Sequence, residues 1–176
     1  PFESTYVPLP AENILIKNAS IYDGDGNEFK NTDVLVQDGK IIAIGQDLPA
    51  TKDFTVIDAT NKWVTPGIID IHSHMGVYPA PGVRTSSDGN EATSPVTADV
   101  WAEHSIWVQD PQYALALTGG VTAFHVLPGS ANLIGGRGVT VKNLQRNTIN
   151  SMKFPNAPHS LKMACGENPK RVYGNR

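Results

Sequence analysis

Apolar and polar residues alternate over short distances in the first third of the chain, a pattern that predicts β-strands. Residues 1–12 resemble an extended leader, and Ile14, Ile16 and Ile21 then stand among polar neighbours. The cluster Asp23-Gly24-Asp25-Gly26-Asn27 is typical of a turn, because these residue types favour turn backbone conformations. No helix is required before residue 65.

Two strand pairs are predicted in the same region. Strands over 33–36 and 40–44 are joined by Asp38-Gly39, the best short signal for a hairpin. Strands over 56–58 and 63–64 form another pair around Asn61-Lys62. Short strands at this spacing predict that residues 1–65 belong to a small β-sandwich or barrel.

The pattern changes at Pro66-Gly67, after which strands alternate with a loop and helices. A mostly apolar run over 68–74 predicts a strand buried on both faces, and a long loop follows over 75–95. The remaining elements are a helical stretch over 97–108, a helix capped by Asp110 and ended by Gly119-Gly120, and strands over 121–127, 138–142 and 160–164. Such alternation is typical of parallel βα units.

Residues 66–176 are too few to close a barrel of such units. A complete (β/α)8 TIM-type barrel takes about 250 residues, or roughly 30 per unit, so this segment suffices for the first three to four units. The predicted fold class is therefore α/β, a partial (β/α)8 barrel preceded by a small β-sandwich. We expect the chain to be truncated relative to the complete fold.

Composition excludes some classes of partner. The net charge is -3, the pI is about 5.9, and no basic block is present, so nucleic acid is not expected as a partner. No run reaches the roughly 18 apolar residues of a membrane span. No signal peptide is visible, but the chain begins at Pro1 rather than Met, which leaves both a cytoplasmic and an exported protein open.

The segment at the end of the first apolar strand carries the most informative chemistry. His72 and His74 are two residues apart, so their side chains project to the same face of a strand. Active sites of barrels lie at the carboxyl ends of the strands. Two imidazoles held side by side can bind one divalent ion, preferably zinc or another ion of the first transition row. A bare His-x-His occurs often by chance, but its position at the end of an apolar strand makes a metal site a stronger prediction here.

Four segments together resemble the amidohydrolase superfamily, in its imidazolonepropionase-like and dihydroorotase-like branches. They are ILIKNASIYDGDG, DVLVQDGKIIAIG, VIDATNKWVTPGIIDIHSH and GVTAFHVLPG. The resemblance covers most of residues 13–130 in the order of the family. It implies a (β/α)8 barrel with a β-sandwich built from both chain ends, so that the sandwich here lacks its C-terminal strands. It also implies a reaction in which one or two divalent metals activate water.

The resemblance assigns metal ligands residue by residue. His72 and His74 match the ligands on the first barrel strand, and Lys162, in HSLKMACGENPKRVYG, is the best match for a carbamylated lysine that bridges two metals. From the residues alone, a lysine that reaches solvent from a short strand remains an alternative. The family's other ligands are two histidines and a general-base aspartate, which we expect beyond residue 176.

Three residues are weaker candidates for substrate contact. Gly136 and Arg137 lie in a glycine-rich segment whose N–H groups and guanidinium suit an anion, although a tight structural turn is the favoured explanation of the glycines. His125 lies in a strand that ends near the expected site. His104 and His159 are expected to be structural or solvated, and Cys165, the only cysteine, to be a small buried residue.

These observations together predict a metal-dependent amidohydrolase that hydrolyses a C–N bond in an amide, cyclic amide or peptide-like substrate. The expected cofactor is one or two divalent ions, zinc by preference. Expected partners are a small-molecule substrate and the remainder of the same polypeptide or a complementary fragment, and a homo-oligomer is open. Two alternatives remain: a mononuclear deaminase of the same superfamily, and a non-catalytic scaffold with the amidohydrolase fold.

Overall fold

The computed structural model describes residues 1–174, which form two compact units. One unit is Pro8–Pro66, and the other combines Pro1–Val7 with the chain from Gly67 onward. The sequence predicts residues 1–65 as the N-terminal part of a β-sandwich, whereas Pro1–Val7 group with the later residues in the structure. No described helix is long and apolar enough to cross a membrane.

The unit Pro8–Pro66 is a single five-stranded sheet. Its strands are β1 Ile14–Tyr22, β2 Glu28–Gln37, β3 Lys40–Gly45, β4 Thr55–Asp58 and β5 Trp63–Val64. The order is β3-β2-β1-β4, with β5 also paired to β1. Pairs β1–β2 and β2–β3 are antiparallel, whereas β4 and β5 run parallel to β1.

The predicted hairpin between β2 and β3 is confirmed. Asp38 and Gly39 have φ angles of 51° and 73°, as a two-residue turn that matches the twist of its strands requires. The predicted pairing of 56–58 with 63–64 is wrong. Both segments lie along the same edge of β1, because the turn at Ala59–Lys62 returns the chain to that edge, where the N–H of Ser20 donates to the Lys62 carbonyl at 3.0 Å.

The sheet packs a small core on one side of β1 and β2. Ala19, Ile21, Val34 and Ala59 are buried together, whereas Ile41, Ile42 and Ile57 are exposed. A sandwich requires a second sheet packed on the first, and the described residues of this unit form only one. The predicted sandwich is therefore not complete within residues 8–66.

Up to residue 174, the second unit contains two small sheets and two short α-helices. Its elements are α1 Gln112–Thr118, α2 Glu167–Tyr173, β6 Ile68–Ser73, β7 Val121–Val126, β8 Ile134–Arg137, β9 Val139–Lys142 and β10 Leu161–Met163. The sheets are β6-β7-β9 and β8-β10. Val77, Phe124, Val126, Val141 and Met152 lie at the centre of the core.

The chain from β6 through α1 to β7 is a parallel βα unit, as predicted. The next strand departs from the prediction, because β9 runs antiparallel to β7. A parallel return needs a crossover of a dozen or more residues, usually a helix, and the segment between β7 and β9 instead contains β8. The class α/β is borne out, whereas the described strands do not form a barrel.

The helix α1 lies where the sequence predicted it. Asp110 is buried, and its carboxylate accepts the N–H of Gln112 at 3.0 Å, which satisfies a donor that the first turn leaves open. The same carboxylate accepts the N–H groups of Gly76 and Ala80. Asp110 therefore fixes the loop that follows β6 as well as the helix.

The predicted helix over 97–108 is wrong. Only Ala102–His104 forms one short 3-10 turn there. Neighbouring backbone groups bond to β8 instead: the Thr97 N–H donates to Ile134 at 2.8 Å, and the Val100 carbonyl accepts from Arg137 at 2.8 Å. Pairing with β8 uses the groups that a helix would need.

The N-terminal segment Pro1–Val7 is fixed by polar contacts. Lys153 Nζ lies 2.7 Å from a carboxylate oxygen of Glu103 and donates to the Phe2 carbonyl at 2.7 Å. The Phe2 N–H donates to the other oxygen of Glu103 at 3.2 Å. Further along, the Thr5 N–H donates to the Asn150 carbonyl at 3.0 Å. The segment thus docks onto residues about one hundred or more positions away in sequence.

Candidate metal-binding site

His72 and His74 lie together at the carboxyl end of β6. His72 is within the strand, and His74 follows its last residue. The two rings are 5.4 Å apart between centroids, nearly perpendicular at 81°. The parallel neighbour β7 ends at the same edge, so backbone from the end of β7 comes close to both histidines.

A backbone carbonyl orients His74. Its Nδ1 lies 2.9 Å from the Leu127 oxygen, and a carbonyl can only accept, so Nδ1 carries the proton. The other nitrogen, Nε2, is left with a free lone pair. Metal-binding histidines commonly have this arrangement, because the outer hydrogen bond fixes both the tautomer and the ring orientation.

Lys162 reaches the same place from β10. Its Nζ is 3.2 Å from Nε2 of His72 and donates to the Pro128 carbonyl at 3.2 Å. The lysine is buried, and this burial lowers the pKa of its ammonium group. The positive charge of Lys162 is also the main reason why the pKa of His72 is lowered.

Asp70 does not join these three side chains as a ligand. Its Oδ1 accepts the N–H of His72 at 3.1 Å, which is a local bond along β6. It therefore supports the backbone that holds His72. Among residues 1–174, no cluster of three or more His, Cys, Asp and Glu could hold a metal.

The weaker candidates lie around this site rather than in it. His125 is part-buried, with Nδ1 2.9 Å from Thr140 Oγ1 and Nε2 2.6 Å from Ser160 Oγ. Gly136 of β8 pairs with Lys162 of β10, whereas Arg137 pairs with Leu161. Adjacent residues of a strand face opposite sides, so Arg137 points away from Lys162.

Arg137, His159 and Cys165 have other surroundings. The Arg137 guanidinium lies over the ring of Trp101 at 5.1 Å, and the His159 ring meets the same tryptophan edge-on at 4.7 Å. Cys165 is exposed, so the prediction of a buried thiol is wrong. It lies in the short connection between β10 and α2.

Two features of the site were not predicted from the sequence. The carbonyls of Leu127 and Pro128 hold His74 and Lys162 in place, and Ser160 bonds to His125. The first feature had a signal, since Leu127-Pro128-Gly129 directly follows β7, and parallel strands end at one edge of a sheet. The second had none, because it depends on how β10 packs.

Comparison with known proteins gives no matching family model but strong individual matches. The chain is 37% identical to amidohydrolase tasK of Hapsidospora irregularis over 188 aligned positions, which cover 92% of this chain and 19% of that protein. The crystal structure of an amidohydrolase from Thermotoga maritima MSB8 superposes with a TM-score of 0.82 and 43% identity, covering 92% of this chain and 41% of that one. The chain belongs to the amidohydrolase superfamily.

A third relative in this superfamily is the dihydroorotase of Halalkalibacterium halodurans. It is 42% identical over 80 residues, which cover 46% of this chain and 18% of that enzyme. The resemblance to the amidohydrolase superfamily stated from the sequence motifs is thereby confirmed. The chain spans about a fifth of the length of tasK and about two fifths of the Thermotoga chain.

Proposed function

We propose that the protein is a metal-dependent amidohydrolase that hydrolyses a C–N bond in a small amide, cyclic amide or peptide-like substrate. His72, His74 and Lys162 would be this chain's share of the active site. The observation that carries the proposal is the approach of Lys162 Nζ to within 3.2 Å of His72 Nε2. Residues 90 positions apart in sequence meet there, beside a second histidine.

The donor atoms of the site fit a zinc-like ion. His74 keeps its proton on Nδ1 through the bond to Leu127, which leaves Nε2 free to bind a metal. His72 presents Nε2 toward Lys162. Imidazole nitrogens are preferred ligands of zinc and its neighbours. A divalent ion held there would polarise a substrate carbonyl and lower the pKa of a water molecule.

Lys162 needs a covalent change before it can bridge two metals. An ammonium group has no lone pair and repels a cation. Attack of the neutral Nζ on carbon dioxide forms an N–C bond, and the proton leaves to solvent, which gives an anionic carbamate with two donor oxygens. The burial of Lys162 favours a neutral side chain, and this supports the proposal of a carbamylated, bridging lysine.

The rest of the site would come from outside this chain. We expect two further histidines and the general-base aspartate on the remainder of the same polypeptide or on a complementary fragment. The exposure of Ile69 and Ile71 on β6 supports this view, because apolar side chains on a barrel strand are normally covered by further elements. The strands β6 and β7 would then be the first two of a (β/α)8 barrel.

Elemental analysis of the full-length protein, purified without chelator, tests the proposal. About two equivalents of a transition metal are expected in the parent protein, with loss of metal in His72→Ala and His74→Ala. The exposed His104 provides the control, and His104→Ala should keep its metal. One equivalent would instead favour the deaminase-like site, and no metal would favour the scaffold.

The state of Lys162 needs its own measurement. The protein is equilibrated with isotopically labelled bicarbonate, and the carbamate carbon is sought by NMR. The signal should be present in the parent protein and in Lys170→Met, which changes an exposed lysine of α2, and absent in Lys162→Met. A parent protein with metal but without the carbamate signal would refute the bridging lysine and leave the histidine ligands in place.

A further inference from the structure

A row of three side chains runs beside the candidate metal site without belonging to it. The row begins at Thr140 on β9, whose hydroxyl lies 2.9 Å from Nδ1 of His125 on β7. It continues from Nε2 of His125 to the hydroxyl of Ser160, 2.6 Å away. Ser160 directly precedes β10, which carries Lys162. A side chain of the β6-β7-β9 sheet is thus bonded to the segment that carries the lysine.

A serine beside a histidine resembles a nucleophile and its base, but the contacts of Ser160 suit a positioning role. A Cβ added at Gly138 would lie 2.7 Å from Ser160 Oγ and 2.6 Å from a Leu127 methyl group. The hydroxyl therefore packs closely against the backbone at Gly138 while it bonds to His125. These contacts join Ser160 to neighbouring strands, which is what a positioning role requires.

The strand β10 needs such support. It has three residues and pairs with β8, not with the β6-β7-β9 sheet that carries His72. At its start, the Gly138 N–H donates to the Ser160 carbonyl at 3.1 Å. The bonds from this segment to His125 on β7 and to Pro128 just after β7 therefore help to set the position of Lys162 relative to His72.

We propose that His125 and Ser160 are positioning residues that hold the Lys162 segment at the distance from His72 that a shared metal requires. The proposal rests on the proposed role of Lys162. Hydroxyl groups can donate or accept, so either neutral tautomer of His125 satisfies both of its partners. The bridge from Thr140 to Ser160 is therefore kept whichever nitrogen carries the proton.

The test compares three variants of the full-length protein. His125→Leu and Ser160→Ala remove the bond to the Lys162 segment, whereas His125→Gln keeps a polar group that can reach Ser160. The readouts are metal affinity, measured by competition with a chelator, and the carbamate signal from labelled bicarbonate. Thermal unfolding confirms that each variant is folded.

We expect His125→Leu and Ser160→Ala to bind metal about tenfold to a hundredfold more weakly, the usual loss when an outer partner of a ligand is removed. Their carbamate signal should fall in parallel, and His125→Gln should restore a large part of both. A purely structural role would lower the unfolding temperature in all three variants without this pattern of rescue.

Two outcomes would overturn the inference. One is parental metal affinity and a parental carbamate signal in folded His125→Leu or Ser160→Ala. The other is parental metal affinity in Lys162→Met, which would refute the proposed role of Lys162 itself and remove the basis of the inference. Lys162→Met therefore separates a failure of the proposed function from a failure of the positioning role.

Discussion

The ion pair between Glu103 and Lys153 allows a quantitative test of the second unit. The two side chains are 1% and 5% exposed and 2.7 Å apart. Lys153→Met keeps most of the apolar stem but leaves the carboxylate of Glu103 buried without its cation. Breaking a buried pair from one side costs about 3–5 kcal/mol, and we expect a loss of that size in the free energy of unfolding.

Two comparisons separate burial from the mere loss of a charge. Lys30 pairs with Glu28 at 3.4 Å, but its side chain is 74% exposed, so Lys30→Met should cost about 0–1 kcal/mol. The double variant Glu103→Leu with Lys153→Met removes both charges. It should be more stable than Lys153→Met alone, because no unpaired charge then remains in the interior.

Urea unfolding followed by tryptophan fluorescence measures these differences. Trp101 and Trp107 report on the unit that contains the pair, whereas Trp63 reports on the sheet unit that contains Lys30, so the three tryptophans together follow both units. Two results would refute this expectation: Lys153→Met loses no more stability than Lys30→Met, or the double variant with Glu103→Leu is less stable than Lys153→Met.

Three further predictions follow from local contacts. Asp110→Ala should lower the free energy of unfolding, measured in urea, by about 3 kcal/mol, because three backbone N–H groups lose a buried acceptor. Asp110→Asn keeps an acceptor oxygen and should lower it less. Gly136→Ala should lower the free energy of unfolding more than Gly26→Ala does. Both glycines have positive φ, but only at Gly136 would a Cβ lie 2.8 Å from a backbone oxygen. Equal losses of stability in the two variants would contradict this expectation. Asn27→Ala should raise the pKa of Asp23, measured by NMR titration, because the Asn27 amide is the main cause that lowers the pKa of this carboxyl. The hydrogen bond between Asn27 and ionised Asp23 stabilises the folded state at pH values above the ordinary carboxyl pKa. This stabilisation is lost as the pH falls through the lowered pKa of Asp23 in the folded state.

Local sequence signals predicted the local structure well. Asp38-Gly39 specifies a hairpin because both residues tolerate positive φ, and the structure has that turn. Asp110 specifies the start of α1 for a similarly local reason, since its side chain bonds to an N–H two residues later. In both cases the decisive atoms lie within a few residues of each other.

Long-range pairing explains the errors. The residues over 97–108 do not form a long helix because their backbone bonds to β8, more than thirty residues later. The predicted parallel direction of β9 was also wrong, because a short apolar segment does not encode whether a strand runs parallel or antiparallel to its neighbour. These choices are made by partners that a local pattern does not contain.

The candidate site could be predicted in part. The spacing of His72 and His74 and the apolar strand before them placed two imidazoles on one face. Lys162 came from the resemblance to a family, because three residues of strand in a turn-rich region carry little pattern of their own. The bridge from His125 to Ser160 depends on packing between two sheets, and no motif predicts it.

The docking of Pro1–Val7 has a consequence for how the protein is made. The bond from Lys153 to the Phe2 carbonyl joins residues 151 positions apart, so a ribosome must synthesise and release Lys153 before this bond can form. Contacts of such separation slow folding, because a large loop must close before they form. Glu103 forms no other ion pair in the described residues. Its carboxylate therefore stays unpaired until Lys153 has been synthesised and has packed beside it.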